Sequence, residues 1–504
     1  MSPIRIATAV ETSLATTLPG AGTIAAALIA ALAVIAALSL LMRKSPEALP
    51  LLAIFTLPFR LPISADGKTV NLLIPLYLVV AAGTVTHLLP KLIAALGVKG
   101  SRDADGCGDR RRQDGTKQEA HVSPTKIDTW LTPRGVEWLL LGAIVLYVLQ
   151  AVYSTDHAKA AENIAFFYVP FGLLFLLLRD VRWTRELLLR CLGVVVVLAI
   201  LFAGVGFVEY YRKSLFLNPK VVAANQYDNY FRVNSVFFDP SIYGRFLALV
   251  MLAVSTAVLW GRRRREVLIG AVVLAWLLAG LVTSFSESSI VALLLGLAVL
   301  AAYRWDVLAT VYASAALLAI AAVVLLAAPS SLHFGLKGSG GSANNATSGR
   351  ANLVSGGLGL FADRPLEGYG SGSFETDYKR HAAKANASSE NATSASHTIP
   401  ITVAAEQGII GLAMYVALLL CAFVVLFRGA GRSPPRIAIA ACFAALVLHT
   451  WTYADFLEDP LTWTLLALGV AFARDGRVFW ETREPAASHS AVGAGHPVDG
   501  VRCQ

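Results

Sequence analysis

Repeated apolar runs of roughly 17–25 residues dominate this chain, each the length that crosses the hydrocarbon core of a bilayer as a helix. A chain built this way is confined to a helical bundle in lipid, because backbone polar groups there must be satisfied within the segment itself. Composition agrees, with 56% hydrophobic and only 15% charged residues over 504 positions. A soluble domain carries roughly a quarter of its residues as charges. The expected fold is an all-α polytopic membrane protein with 12–13 transmembrane helices and one large extracytoplasmic loop.

Candidate spans fall at 23–42, 48–63, 70–90, 136–154, 161–178, 187–208, 242–260, 266–283, 288–303, 307–328, 399–427, 437–453 and 460–473. The second is short and holds Pro50, Pro58 and Arg60, so a crossing and a re-entrant or interfacial segment both remain open. The expected divisions are N-terminal spans (1–90), a basic cytoplasmic linker (91–134), central spans with an outer segment at 210–240 (135–328), the large loop (329–398), C-terminal spans (399–474) and a tail (475–504).

The formal charge of +9 does not point to nucleic acid. Arg and Lys cluster in short segments between apolar runs: Arg43-Lys44, Arg179 to Arg190, Arg262 to Arg265 and Arg428 to Arg436. Such clusters mark cytoplasmic loops and set orientation. The linker, with its DRRRQDG stretch, has too little apolar content to fold alone and is expected to be disordered. Placing it in the cytoplasm puts the clusters at 262–265 and 428–436 there too, and sends 210–240, 329–398 and 454–459 to the outer face. The side of the N-terminus depends on whether 48–63 crosses.

The five cysteines show no metal spacing and none lies in an outer segment, so neither a disulfide framework nor a zinc site is implied. The apolar run after Arg5 ends in Arg43-Lys44 without a convincing cleavage site and reads as a retained span. Sequons at Asn345, Asn386 and Asn391 lie in an Ala/Ser/Asn-rich stretch where chance matches are common. The tail from Glu481 reads as disordered.

The loop from Pro329 to Ser396 changes character midway, from Ser/Gly/Asn spacer to a patterned block. In that block Arg350 sits in TSGRANLVSGGLGLF, where Leu353, Leu358 and Leu360 approach helical spacing and suggest a short surface helix with Arg350 near its start. The DRPLEGYGSGSF turn follows, with Pro365, Gly368, Gly370 and Gly372 demanding tight bends. His397 stands at the membrane edge, where an imidazole titrates near neutrality and can take a proton from a hydroxyl. His333 and His381 lie in less patterned surroundings. In the other outer segment most aromatics fit ordinary interfacial anchors. Arg232 precedes NSVFFDPSIYGRFLALVML, and Arg245 lies within it. A cation at that depth needs a partner or a cavity and is a functional candidate by default.

Four stretches together resemble the O-antigen ligase and polymerase family of bacterial envelope proteins: FRVNSVFFDPSIYGRFLAL (231–249), LVTSFSESSIVALLLGL (281–297), TSGRANLVSGGLGLFADRPLEGYGSGSF (347–374) and SHTIPITVAAEQGIIGLAMY (396–415). Two departures stand out. The family's Ser-Arg is Ser286-Glu287 here, and its His-Asn pair is His397-Thr398. The resemblance implies a fold like that of C-type glycosyltransferases in the bacterial cytoplasmic membrane, working without metal or cofactor. It implies transfer of a glycan from a polyprenyl diphosphate to a hydroxyl on a glycan, lipid or protein acceptor, with inversion. On that reading His397, Arg350 and Arg232 are the expected catalytic residues, and Arg245, Arg364, Tyr369 and Glu406 the expected substrate-binding ones. The outer segments lack an Asp-x-Asp motif; Asp103-Ala-Asp105 sits in the linker. A transporter of a small anion or other solute is the alternative. Transporters, however, place ionisable residues near the midplane, whereas the candidates here gather at the outer face.

Overall fold

The computed structural model describes residues 21–65, 68–97, 131–215, 231–316, 350–384, 396 and 398–475. The body of the linker, the tail, His333 and His397 lie outside the described residues. The chain is an all-α polytopic bundle with one addition, a two-stranded antiparallel hairpin of β1 (Leu61–Ala65) and β2 (Lys68–Leu72).

Among the described residues, ten helices are long and apolar enough to cross a membrane. They match ten of the expected spans. Two others are shorter, α2 (Ala48–Thr56) and α17 (Pro460–Asp475), and α12 is described over Val307–Ala316. The remaining elements are α1 (Ala21–Lys44), α3 (Ile74–Gly83), α4 (Leu89–Gly97), α5 (Pro133–Ala151), α6 (His157–Asn163), α7 (Val169–Arg179) and α8 (Arg185–Arg212). Then come α9 (Pro240–Leu259), α10 (Arg264–Thr283), α11 (Glu287–Arg304), α13 (Arg350–Asp363), α14 (Phe374–Lys384), α15 (Ile399–Phe427) and α16 (Pro434–Thr452). Short π-helical turns join α3 to α4 and α6 to α7.

Local signals explain where these helices begin. Thr132, Asp156, Thr184 and Asp239 each accept a bond from a first-turn N–H, satisfying donors that a helix start leaves open. Proline follows in the first turn of α5, α9, α15 and α16, where its missing N–H costs nothing.

The helices alternate in direction, so the bundle has two chemically distinct ends. At one, Lys91 pairs with Asp180 at 2.8 Å, Arg179 with Glu137 at 2.8 Å, and Arg474 with Glu137. This basic end also collects residues 43–44, 179–190, 262–265 and 428–436. The opposite end gathers 152–156, 231–239, 284–286, 350–384, 396, 398 and 453–459, and we call it the site end.

The second apolar run is helical only to Thr56, because Pro58 cannot continue the ladder. It starts near the basic end, where Glu47 meets Arg190 at 2.5 Å. Phe59 then rests edge-on against Phe202, 5.8 Å away and well along α8. The hairpin hands the chain to α3, which returns to the basic end. The segment therefore crosses as a broken element, and α1 starts at the site end. The core centres on α9, which packs against α8, α10, α11 and α16 and is among the most buried spans.

Candidate active site

The patterned half of the loop is seated in a break of a membrane helix. Within α15, Gly408 has φ +65° and ψ −161°, so the helix is two pieces meeting at a kink. A break of this kind frees backbone groups that lipid cannot satisfy, and the loop supplies the partners. Tyr369 N donates to Ala405 O at 3.2 Å, Gly370 N to Glu406 O at 2.8 Å, and Ile409 N to Pro365 O at 2.8 Å. The Gln150 amide closes the remaining gap by donating to Gln407 O at 3.2 Å.

Glycine is required at both surfaces of this seat. A Cβ on Gly408 would lie 2.2 Å from Leu366 O, and one on Gly370 (φ +97°) 2.3 Å from Ser154 Cα. The bends expected at Gly368, Gly370 and Gly372 are present, all with positive φ.

Glu406 anchors the far side of the turn. Its two carboxylate oxygens accept Gly372 N at 2.9 Å and Phe374 N at 3.1 Å, capping the start of α14. Glu406 is buried, and both its carboxylate oxygens accept backbone donors of the turn. Bonds to a charged acceptor contribute about 1.5–3 kcal/mol each. Glu406→Ala is therefore expected to speed amide exchange across 366–376 by about tenfold or more, with exchange in α9 unchanged. Hydrogen-exchange mass spectrometry checks it.

Arg364 and Tyr369 brace the outer surface of the same turn. The guanidinium lies 4.5 Å from the ring centroid, and the phenol donates to Asp363 at 3.4 Å. Burial, and then Asp363, push the Tyr369 phenol above its ordinary value.

Helix α13 runs alongside the first half of α15. Leu353 and Leu360 are buried there, while Leu358 is exposed, so the buried face is narrower than the leucine spacing suggested. Gly357 sits against Ile401 and Leu366 against Gly408, so the two helices run in the same direction. Arg350, the first residue of α13, therefore stands at the end of that helix which lies toward the start of α15. Ser396 and Thr398, the described neighbours of His397, lie there. Ser396 is buried, with its hydroxyl 3.0 Å from that of Thr402.

Two arginines come from the rest of the bundle. Half-buried Arg232 donates from Nε to Ser284 O at 3.3 Å, beside a backbone bond from Val233 N to Thr283 O. Arg245 is buried to 1% exposure and meets Asp459 at 2.8 Å. Its Nη1 also donates to Ala454 O at 3.4 Å and Asp455 O at 3.3 Å. A guanidinium so enclosed holds α9 to the 453–459 loop. Burial is tolerable because the carboxylate accompanies it.

Among the described non-glycine residues only Lys213, Ser235, Phe285 and Asp455 have positive φ. The last three surround Arg232 and Arg245. Such backbone costs on the order of 1–3 kcal/mol per residue and tends to collect at functional sites.

A cavity of about 60 Å³ separates α5 and α15 from the 456–458 segment, lined by Tyr147, Tyr168, Glu406 and Glu458 among others. Glu458 accepts from the Asn163 amide at 3.2 Å. Burial, and next the Asp455 carboxylate, raise its pKa.

Reading by residue type overlooked Asp459, Gln150, Glu458 and Arg60. Asp459 had a legible signal, since Asp459-Pro460 repeats the helix-start pattern of Asp239-Pro240, and its Oδ1 accepts Leu461 N at 2.9 Å. Nothing local in the sequence pairs it with Arg245.

Fold and site together define a multi-pass membrane protein whose loop docks onto a broken helix beside an arginine-bearing bundle end. Residues 272–416 match the O-antigen ligase family model, and that match supports the O-antigen ligase and polymerase family for this chain. The matched stretch includes Ser284, α13, the turn, α14 and the break at Gly408. No curated protein matches the chain.

Proposed function

We propose that the protein is a membrane glycosyltransferase of the O-antigen ligase or polymerase type, acting at the outer face of the bacterial cytoplasmic membrane. The observation that carries this reading is the seating of the family-matched loop on the break in α15, with the starts of α13 and α15 at the bundle end that also holds Arg232. The basic clusters gather at the other end, which supports placing the site outside.

The donor on this reading is a glycan on a polyprenyl diphosphate. As the acceptor hydroxyl attacks the anomeric carbon, its proton passes to His397 and the carbon–oxygen bond to the diphosphate breaks. The diphosphate departs with the bonding electrons, and direct attack inverts the anomeric centre. A diphosphate is a good leaving group that needs cations more than a general acid. Guanidinium groups bind its oxygens in pairs and stay charged. Arg232 and Arg350 fill that role and no metal or cofactor is needed. The acceptor is a hydroxyl on a glycan, lipid or protein. Transport is less well supported, because Arg245 and Glu406, two charges set within the spans, already have protein partners.

In a strain lacking the protein, Arg232→Lys and Arg350→Lys are expected to reach the membrane yet lose about 10–100-fold of glycan transfer, since lysine cannot make the paired contact. Gel analysis of surface glycan checks this. Wild-type output from both variants would remove the diphosphate from these residues.

A further inference from the structure

We propose that Arg60 is a third guanidinium of the donor site, binding phosphate oxygens of the lipid-linked diphosphate. The inference rests on the glycosyltransferase reading and adds a residue from outside the family-matched stretch.

Arg60 ends the broken second element, at a level fixed by its neighbours. Phe59 meets Phe202 edge-on at 5.8 Å, and Phe202 meets Phe237 edge-on at 5.6 Å. The Ser235 hydroxyl donates to Phe202 O at 2.8 Å. Arg60 and Phe237, five residues after Arg232, therefore stand near one depth, with the ring of Phe202 between them. Arg60 also shares a cavity of about 20 Å³ with Phe237, Ile242, Phe246 and Asp459. That space is too small for a diphosphate; it shows that Arg60 borders the Arg245–Asp459 pair.

The pairing pattern separates Arg60 from Arg245. Asp459 lies 2.8 Å from Arg245, whereas Arg60 makes no hydrogen bond or ion pair among the described residues. It is half-buried, with apolar Leu57, Phe237 and Phe246 lining the same cavity. Tyr77 and the Asp459 carboxylate, already bound to Arg245, are its described polar neighbours. A cation in such surroundings with no ion pair among the described residues is costly and marks a ligand contact by default. The chemistry that fits is a phosphate oxygen carried on a lipid. Two sources supply it, the donor's diphosphate and a phospholipid headgroup. The depth shared with Phe237 favours the donor, because headgroups lie at the surface and Phe202 sits ten residues inside the end of α8 at Arg212.

The test measures binding of undecaprenyl diphosphate to the purified full chain in nanodiscs, made either of phosphatidylcholine alone or with added phosphatidylglycerol. Arg60→Gln is expected to weaken binding about tenfold or more in both lipids, and Arg60→Lys by a smaller factor, because charge is kept but the paired contact is lost. Binding of undecaprenol, which has no phosphate, should not change. Wild-type affinity in both variants would overturn the proposal. So would an effect of Arg60 confined to stability in phosphatidylglycerol, which would assign the residue to a headgroup. Failure of the wild-type protein itself to bind undecaprenyl diphosphate would overturn the donor reading and this inference together.

Discussion

His397→Ala is expected to lower glycan transfer by about 10²–10⁴-fold, the range for loss of a positioned general base, while the variant still inserts and binds donor. The acceptor hydroxyl is a weak nucleophile at neutral pH, and its proton must leave as the new bond forms. Imidazole is the side chain whose ordinary titration lies in that range. Helices α13 and α15 run in the same direction, so Arg350, Ser396 and Thr398 all lie at the site end. Inversion demands that the base and the diphosphate ligand act on opposite sides of the anomeric carbon. A pH–rate profile adds a second readout: the acidic limb seen with wild type should vanish in His397→Ala. Unchanged turnover would place the base elsewhere.

Asp459→Ala is expected to destabilise the protein by about 3–5 kcal/mol, the usual result of removing one partner of a buried ion pair. Arg245 would be left at 1% exposure with two carbonyls and no counter-charge. Loss of the bond to Leu461 N adds roughly 1 kcal/mol as a lost helix cap. Arg245→Met combined with Asp459→Leu should recover much of the loss, because two apolar side chains remove both the charge and the orphan. Thermal unfolding in detergent distinguishes the cases. A single variant as stable as wild type would mean that the pair holds nothing together.

The helical architecture was legible because hydropathy reports spans directly, and ten of them stand where the apolar runs are. The broken second element was only half legible: Pro58 and Arg60 flagged an irregular crossing, but alternation of residues did not announce the hairpin. The glycines of the turn announced bends. What they bend around, the kink at Gly408, is invisible locally, since GIIGL reads as ordinary helix. For the same reason Glu406 and Arg245 resembled ligand-binding charges. Their partners, the amides of Gly372 and Phe374 and the carboxylate of Asp459, lie 32 residues away or more, so only the packed structure reveals them. Arg60 carried no motif and became a candidate through its depth and because it has no ion pair among the described residues.

The most direct measurement is turnover by the purified protein in proteoliposomes, supplied with a defined polyprenyl-diphosphate glycan and candidate hydroxyl acceptors, with chelator present. The expected result is a glycosylated acceptor of inverted anomeric configuration together with free polyprenyl diphosphate, at a rate unaffected by chelation and abolished by His397→Ala. Movement of a solute across the vesicle wall without any glycosidic product would contradict the glycosyltransferase reading.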